Sequence, residues 1–199
     1  ASNSDDVDAT MKLILAKTSN VVLMQCNTNY TGSLENFKYI NLNVLHEYKK
    51  KYPNVTLGLS DHTPGHTTVL GAVSLGATVV EKHFTDDCDR DGPDHKFSMT
   101  PETWREMVSK TRELELALGD GVKRVEENEK ETLILQRRCI RAFKDLKSGS
   151  VITKNSIVPL RPCPAEGIAA NKSTDLLGKR IKVDIKKGDI LRWEDVDLA

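Results

Sequence analysis

Cysteine is scarce and scattered. Cys26, Cys88, Cys139 and Cys163 form no CxxC pair and no zinc-ribbon spacing, so neither a thiolate-rich metal site nor a disulfide framework is read from them. Free thiols in a reducing cytoplasm are the expected state. No apolar run approaches the roughly 20 residues that span a bilayer. The opening Ala1-Ser-Asn-Ser-Asp-Asp is polar and acidic, unlike a secretory signal. Neither charge sign is in excess, with Lys+Arg and Asp+Glu at 29 each. That balance gives no electrostatic case for nucleic acid or an anionic membrane. A GxGxxG after a strand, a P-loop, a Ser nucleophile elbow, an EF-hand loop and an HExxH pair are all missing. What is present is a globular composition, 38% hydrophobic and 29% charged, in 199 residues. That length suits one medium domain, or a larger piece plus a small one.

The first 120 or so residues alternate helical and strand patterns. Ser4 is placed to cap a helix through Val7, Met11, Ile14 and Leu15. Val21 to Gln25 is a short apolar run that reads as a strand covered on both faces. Residues 35–51 read as one helix, with Phe37, Ile40, Leu42, Val44, Leu45 and Tyr48 buried and Pro53 ending it. Val55 to Leu59 reads as a second strand. Thr67 to Leu75 reads as a helix stopped by Gly76, and Thr78 to Lys82 as a third strand. Thr100 and Pro101 are an N-cap and first-turn pair for a helix through Trp104, Met107, Val108, Leu114 and Leu118. The βαβαβα order predicts parallel strands with helical crossovers. A doubly wound sheet and a (β/α) barrel fit this pattern equally well.

Residues 121–138 are highly charged and read as a linker helix with a solvated face. An internal repeat follows. Asp145-Leu-Lys-Ser-Gly-Ser-Val-Ile matches Asp184-Ile-Lys-Lys-Gly-Asp-Ile-Leu at an offset of 39 residues, and each copy then steps to Ile157-Val158 or Val196-Asp197. Two copies are too few for a solenoid. A small β-rich module with two related halves is expected from 139 to 199, with the barrel-like part at 1–120 and the linker at 121–138.

Three polar clusters follow the three strands: Cys26 to Tyr30, Ser60 to Thr63, and Glu81 to His83. In (β/α) barrels the C-terminal strand ends hold the active site. His62 and His83 end consecutive strands, about 4.8 Å apart in a sheet. They can converge on one divalent first-row metal acting as a Lewis acid, or be two hydrogen-bonded structural histidines. Asp61 and Glu81 flank them as candidate catalytic or orienting carboxylates, although strand alternation turns neighbours to opposite faces, where one can instead pair with Lys82. Asp94 lies in the turn-forming Gly92-Pro-Asp-His95 loop, where a hydroxyl contact and an ordinary turn role stand level. Arg161 lies between the halves of the small module and on chemistry alone reads as a surface arginine. Cys26 reads as a small buried residue, not a nucleophile. His46 and His66 read as helix-surface residues, and Trp104 and Trp193 as anchors.

Leu23-Met-Gln-Cys-Asn-Thr-Asn-Tyr30, Gly58-Leu-Ser-Asp-His-Thr63, Gly76-Ala-Thr-Val-Val-Glu-Lys-His-Phe-Thr85 and Gly92-Pro-Asp-His95 together resemble the sialic acid synthase family. Ala117-Leu-Gly-Asp-Gly121, Arg161-Pro162 and Leu177-Gly-Lys179 continue the match in order. The resemblance implies the C-terminal part of a (β/α)8 TIM barrel followed by a small antifreeze-like SAF domain. It implies a domain-swapped homodimer in which the small domain of one copy caps the barrel of the other. The implied reaction joins C3 of phosphoenolpyruvate to the aldehyde carbon of open-chain N-acetylmannosamine or a related N-acetylated amino sugar. Water attacks C2 and phosphate leaves by C–O cleavage. The implied cofactor is a divalent metal, Mn2+ or Mg2+, which polarises the aldehyde. By position, His62 and His83 match metal ligands and Ser60 a residue near the phosphoenolpyruvate phosphate. Tyr30, Glu81 and Asp94 match sugar- or water-facing positions, and Arg161 matches the arginine given to the neighbour's sugar. Asn27 and Thr28 lie at a substrate-facing position where relatives often differ, and Thr31-Gly32 stands where many have proline.

A complete (β/α)8 barrel needs about 250 residues, so the chain is expected to hold only the last three strands. The missing N-terminal barrel half is then a required partner, and the 199 residues alone are expected to be inactive, whether as a fragment or as a split-gene product. A binding or assembly module is the alternative, with the SAF-like part holding a dimer or a sugar. A phosphate-binding (β/α) enzyme of another class is weakened by Arg161 and the repeat. Legionaminic and pseudaminic acid synthases share these motifs, so the amino sugar is left open.

Overall fold

The structure is a computed structural model that describes residues 1–198. It divides into two compact units, Ala1–Val122 and Lys123–Ala199.

The larger unit is α/β. Strands β1 (Val22–Cys26), β2 (Thr56–Asp61) and β3 (Val79–Lys82) form one parallel sheet in sequence order. Helices α2 (Val44–Lys51), α3 (Thr67–Ser74) and α4 (Pro101–Leu118) alternate with them, after an opening helix α1 (Ser4–Leu15). The register sets Leu23 beside Leu57, Gln25 beside Leu59, and Leu59 beside Val80. Side chains alternate across a pleated strand, so these residues share one face. On that face Leu57 and Leu59 pack with Leu45 of α2, Val69 and Ala72 of α3 and Met107 of α4. The opposite face carries Met24, Gly58, Ser60 and Glu81. Gly58 is crowded there, and a Cβ would come within 2.8 Å of the Val79 carbonyl oxygen and 2.9 Å of Met24 Cγ.

Four expectations change. The N-cap of α1 is Asn3, not Ser4, because Asn3 and Asp6 exchange side-chain and backbone hydrogen bonds at 2.9 and 3.0 Å. Ser4 would face Val7 three residues on, which cannot reciprocate. Residues 35–51 are not one helix. A 3-10 stretch Leu34–Tyr39 precedes α2, with Asn41 between them at φ 49°. The carbonyls of Tyr39 and Ile40 there accept from Asn27 Nδ2 (3.2 Å) and Gln25 Nε2 (2.8 Å), so long-range partners replace the helical ones. The first strand is an edge of the sheet and is not covered on both faces, with Val22 45% exposed. In the linker, helix is confined to a 3-10 turn Glu127–Glu129 and α5 (Lys130–Gln136).

The smaller unit is built on the repeat. Strand β4 (Cys139–Ala142) pairs antiparallel with β5 (Ile157–Leu160), and β6 (Arg180–Ile181) with β7 (Val196–Asp197), with a short helix α6 (Ser173–Leu176) between the halves. The copies clasp each other through an internal pseudo-twofold. Leu146 N donates to Ile185 O at 2.8 Å, and Ile185 N donates to Leu146 O at 2.9 Å. Gly149 N donates to Ile181 O, and its counterpart Gly188 N to Ala142 O. Both glycines have positive φ, 80° and 90°, a conformation that side chains resist. Asp184 accepts from Ser148 N and Lys147 Nζ, while Asp145 accepts from Lys187 N and lies 3.6 Å from Lys186 Nζ. Ala142, Leu146 and Ile152 meet their counterparts Ile181, Ile185 and Leu191 in one core.

These contacts give a pH signature. The backbone amide of Lys187 holds the Asp145 carboxyl below its ordinary 3.8, and the Lys147 ammonium does the same for Asp184. A depressed folded-state pKa stabilises above the unfolded value, and that stability is lost as pH falls through the folded one. We therefore expect the small unit to weaken as pH drops below about 4, the ordinary carboxylate value. The Asp145→Asn/Asp184→Asn variant should show a flatter dependence. Urea midpoints followed by Trp193 emission in a Trp104→Phe background would check this, and an unchanged slope in the double variant would refute it.

Candidate functional site

The register of β2 against β3 sorts the polar residues at their ends. Ser60 pairs with Glu81 and Asp61 with Lys82. Ser60 Oγ donates to Glu81 Oε1 at 2.9 Å on the face away from the helices. One residue on, Asp61 and Lys82 meet on the helix-facing side, with Lys82 Nζ 2.6 Å from Asp61 Oδ2 and both side chains fully buried. Lys82 also donates to the Thr63 carbonyl at 2.6 Å. The Thr63 and Thr68 hydroxyls and the Thr63 amide complete the shell around the Asp61 carboxylate.

Asp61 is therefore not beside the histidines, and the orienting role expected of it is corrected. Its oxygens are saturated by Lys82, Thr63 and Thr68 on the far side of the sheet. The alternation that turns Asp61 inward turns its neighbour His62 the other way, and the same holds for Lys82 and His83.

His62 and His83 lie with ring centroids 5.1 Å apart. Tyr30, from the loop after β1, packs tilted against His62 at 4.1 Å and meets His83 edge-on at 5.7 Å. His62 is buried, and its Nδ1 lies 2.8 Å from the Asn27 carbonyl oxygen. A carbonyl only accepts, so Nδ1 carries a proton, and in the neutral ring the lone pair is on Nε2. His83 Nδ1 faces Asp94 Oδ2 at 3.5 Å, which is long for a direct hydrogen bond. The Asn27 side chain is spent locally, with Nδ2 on the Tyr39 carbonyl and Oδ1 on the Asn29 amide. Its contribution to the pair is the backbone oxygen. Asn27, Thr28, Asn29 and Tyr30 line an open groove of about 780 Å³ shared with Ser2, Tyr39 and Tyr48.

Phe97 is the residue that sequence reasoning missed. It is buried, and its ring lies 5.0 Å from His83, 6.0 Å from His62 and 6.3 Å from Tyr30. It comes from a loop whose base is closed by backbone bonds, Met99 N to His83 O and Thr85 N to Met99 O, both 2.9 Å. Thr85 Oγ1 also holds His95 Nδ1 at 2.8 Å. This closure returns Asp94 and Phe97 to the end of β3. The one available signal was an aromatic two residues past His95 in a loop already placed at the strand ends.

Arg161 belongs to the smaller unit and is exposed there. Its Nε donates to the Gln136 carbonyl at 2.6 Å. Among the described residues no group of three or more His, Cys, Asp and Glu side chains is arranged to hold a metal. No helix of the described residues is long and apolar enough to cross a membrane.

The buried pair predicts a non-additive stability pattern. Lys82→Met leaves a buried carboxylate without its cation and should cost about 3–5 kcal/mol. Asp61→Asn/Lys82→Met leaves only neutral groups and should recover part of that loss. Urea unfolding of the single and double variants measures this, and a double variant as weak as the summed singles would contradict it.

Comparison with known proteins follows the same two units. The NeuB family model matches residues 1–123 and the SAF domain model matches residues 137–197. The chain is 34% identical to N,N'-diacetyllegionaminic acid synthase of Campylobacter jejuni over 89% of its own length and 51% of the relative's. It is 35% identical to pseudaminic acid synthase of the same organism over 90% of its own length and 50% of the relative's. Among solved structures, the N-acetylneuraminic acid (sialic acid) synthetase of Leptospira borgpetersenii matches with a TM-score of 0.59 at 27% identity, over 67% of this chain and 45% of that one. The chain thus spans about half the length of the curated relatives it matches. With its match over residues 1–123, the chain belongs to the NeuB family.

Proposed function

We propose that this chain supplies the histidine-bearing part of a sialic-acid-type synthase site, which condenses phosphoenolpyruvate with an N-acetylated amino sugar and releases phosphate. The observation that carries this reading is the meeting of His62, His83 and Tyr30 at the C-terminal ends of parallel strands, with Ser60 and Glu81 on the same sheet face. In this proposal the three strands are part of a (β/α)8 barrel, whose active sites lie at that end.

The donor set fits a divalent cation with open positions. His62 has Nδ1 committed to the Asn27 carbonyl, and His83 presents Nδ1 toward Asp94, which leaves both Nε2 atoms for a cation such as Mn2+ or Mg2+. Bound there, the cation supplies Lewis-acid polarisation of the sugar aldehyde. The chain's own groups do the rest. Asn27 O fixes the tautomer of His62. Tyr30 and Phe97 each pack against both rings. Glu81 has Oε1 steadied by the Ser60 hydroxyl and presents an exposed carboxylate edge, suited to accept a proton from the sugar or from the attacking water. Ser60 approaches the phosphoenolpyruvate phosphate. Thr28, Tyr30 and Asp94 meet sugar hydroxyls from the flanking loops. In a domain-swapped homodimer the partner's Arg161 reaches the sugar from the small unit. The alternative, an assembly or sugar-binding module, rests on the small unit's self-contained core.

Two measurements test the proposal. Mn2+ titration of the chain should show binding that weakens by at least about tenfold in His62→Ala or His83→Ala, the lower range for disturbed metal shells. The chain combined with the N-terminal half of a relative should release phosphate from phosphoenolpyruvate with N-acetylmannosamine or a diacetylated six-carbon sugar. Mn2+ affinity indifferent to both histidines, together with no phosphate release, would sink the proposal and leave the assembly module.

A further inference from the structure

The smaller unit contains a pair of thiols that the proposed synthase chemistry does not use. Cys139 opens β4, and Cys163 follows the end of β5 by three residues. Cys139 is fully buried, with Sγ 3.2 Å from the Pro162 carbonyl oxygen. Gly167 lies directly against it, where a Cβ would fall 3.0 Å from Cys139 Cβ and 3.3 Å from Sγ. The Cys163 thiol faces the same glycine, 3.9 Å from its carbonyl oxygen and 3.7 Å from that of Pro164. Both thiols therefore border Gly167.

A cation completes the group. Arg141 Nη2 donates to the Pro162 carbonyl at 3.2 Å and Nη1 to the Gly188 carbonyl at 2.9 Å, while its buried Nε has no partner among the described residues. Burial pushes the Cys139 thiol up, the Arg141 guanidinium draws it down, and the neighbouring Cys163 adds to the rise. Burial outweighs the guanidinium, so Cys139 is held as the thiol more firmly than a free cysteine. Cys163 is partly exposed and Cys139 is not, which sets the order of attack.

We propose that Cys139 and Cys163 are a thiol–disulfide couple, closed by exchange with a low-molecular-weight disulfide, that ties the Arg161–Pro162 turn to β4. The Cys163 thiolate attacks one sulfur of the small disulfide, forms a mixed disulfide and releases one small thiol. Cys139 then attacks Cys163 Sγ, closes the bridge and releases the second. The two cysteine sulfurs lose two electrons to the small disulfide, and their two protons leave on the two released thiols. Excess small thiol reverses both steps. The turn carrying Arg161 is already held by Arg161 Nε on Gln136 O and by Cys163 N on Ile134 O. The bridge adds a covalent tie on its other side, to the strand that opens the domain.

The test equilibrates the intact chain in graded ratios of oxidised to reduced glutathione, followed by acid quench, intact mass and peptide mapping. Expected is a loss of about 2 Da, two hydrogens, with a Cys139–Cys163 linked peptide and with Cys26 and Cys88 still alkylatable. Cys139→Ser should instead trap glutathione on Cys163, because the resolving thiol is gone. A bridge involving Cys26 or Cys88, a stable glutathione adduct on Cys163 in the unsubstituted chain, or no oxidation of either residue would each overturn the proposal. So would a Cys139→Ser chain that takes up no glutathione at Cys163.

Discussion

The pairing of β2 with β3 is the constraint on which the site depends. One register step decides that Ser60 meets Glu81 and Asp61 meets Lys82. Because the side-chain period of a strand is two, a slip by one residue would exchange the faces. If β3 slipped, Lys82 would point away from the helices and His83 into the apolar layer. The buried Asp61–Lys82 contact resists that slip, since a displaced charge would be left in the core without its partner. The chemistry on one face is thereby registered by the electrostatics on the other. The two loops that complete the cluster then need only reach a fixed pair of strand ends.

The smaller unit solves a different problem. Its strands are only two to four residues long, too short to be stable as isolated hairpins. Each copy of the repeat bonds the other through backbone groups and through an aspartate that accepts from its partner's amide, so neither half completes its hydrogen bonding alone. The apolar positions follow the same exchange, and ten buried side chains form one core between them.

Much of this was legible in residue order. The parallel α/β pattern, the Thr100-Pro101 helix start and the repeat follow from local signals, and the structure shows the sheet order, the cap and the mutual clasp. The polar clusters after the strands were also legible, because strand ends are marked by a change from apolar to polar residues. What was not legible depends on partners distant in sequence. The helix read over 35–51 breaks because Gln25 and Asn27 capture carbonyls about a dozen or more residues away. For Asp61, strand alternation already offered pairing with Lys82 beside a role at His62, and the register decides for Lys82. Phe97 was hidden because a loop of ordinary composition gives no sign of where its base closes.

That closure has a consequence for how such a site can diversify. The loop from Thr85 to Met99 is fastened by main-chain bonds, which any residue other than proline at the donating positions can make. Residues at its tip, around Asp89 to Asp91, make neither of those two bonds. The rim of the loop is thereby separable from the backbone bonds that place the end of β3.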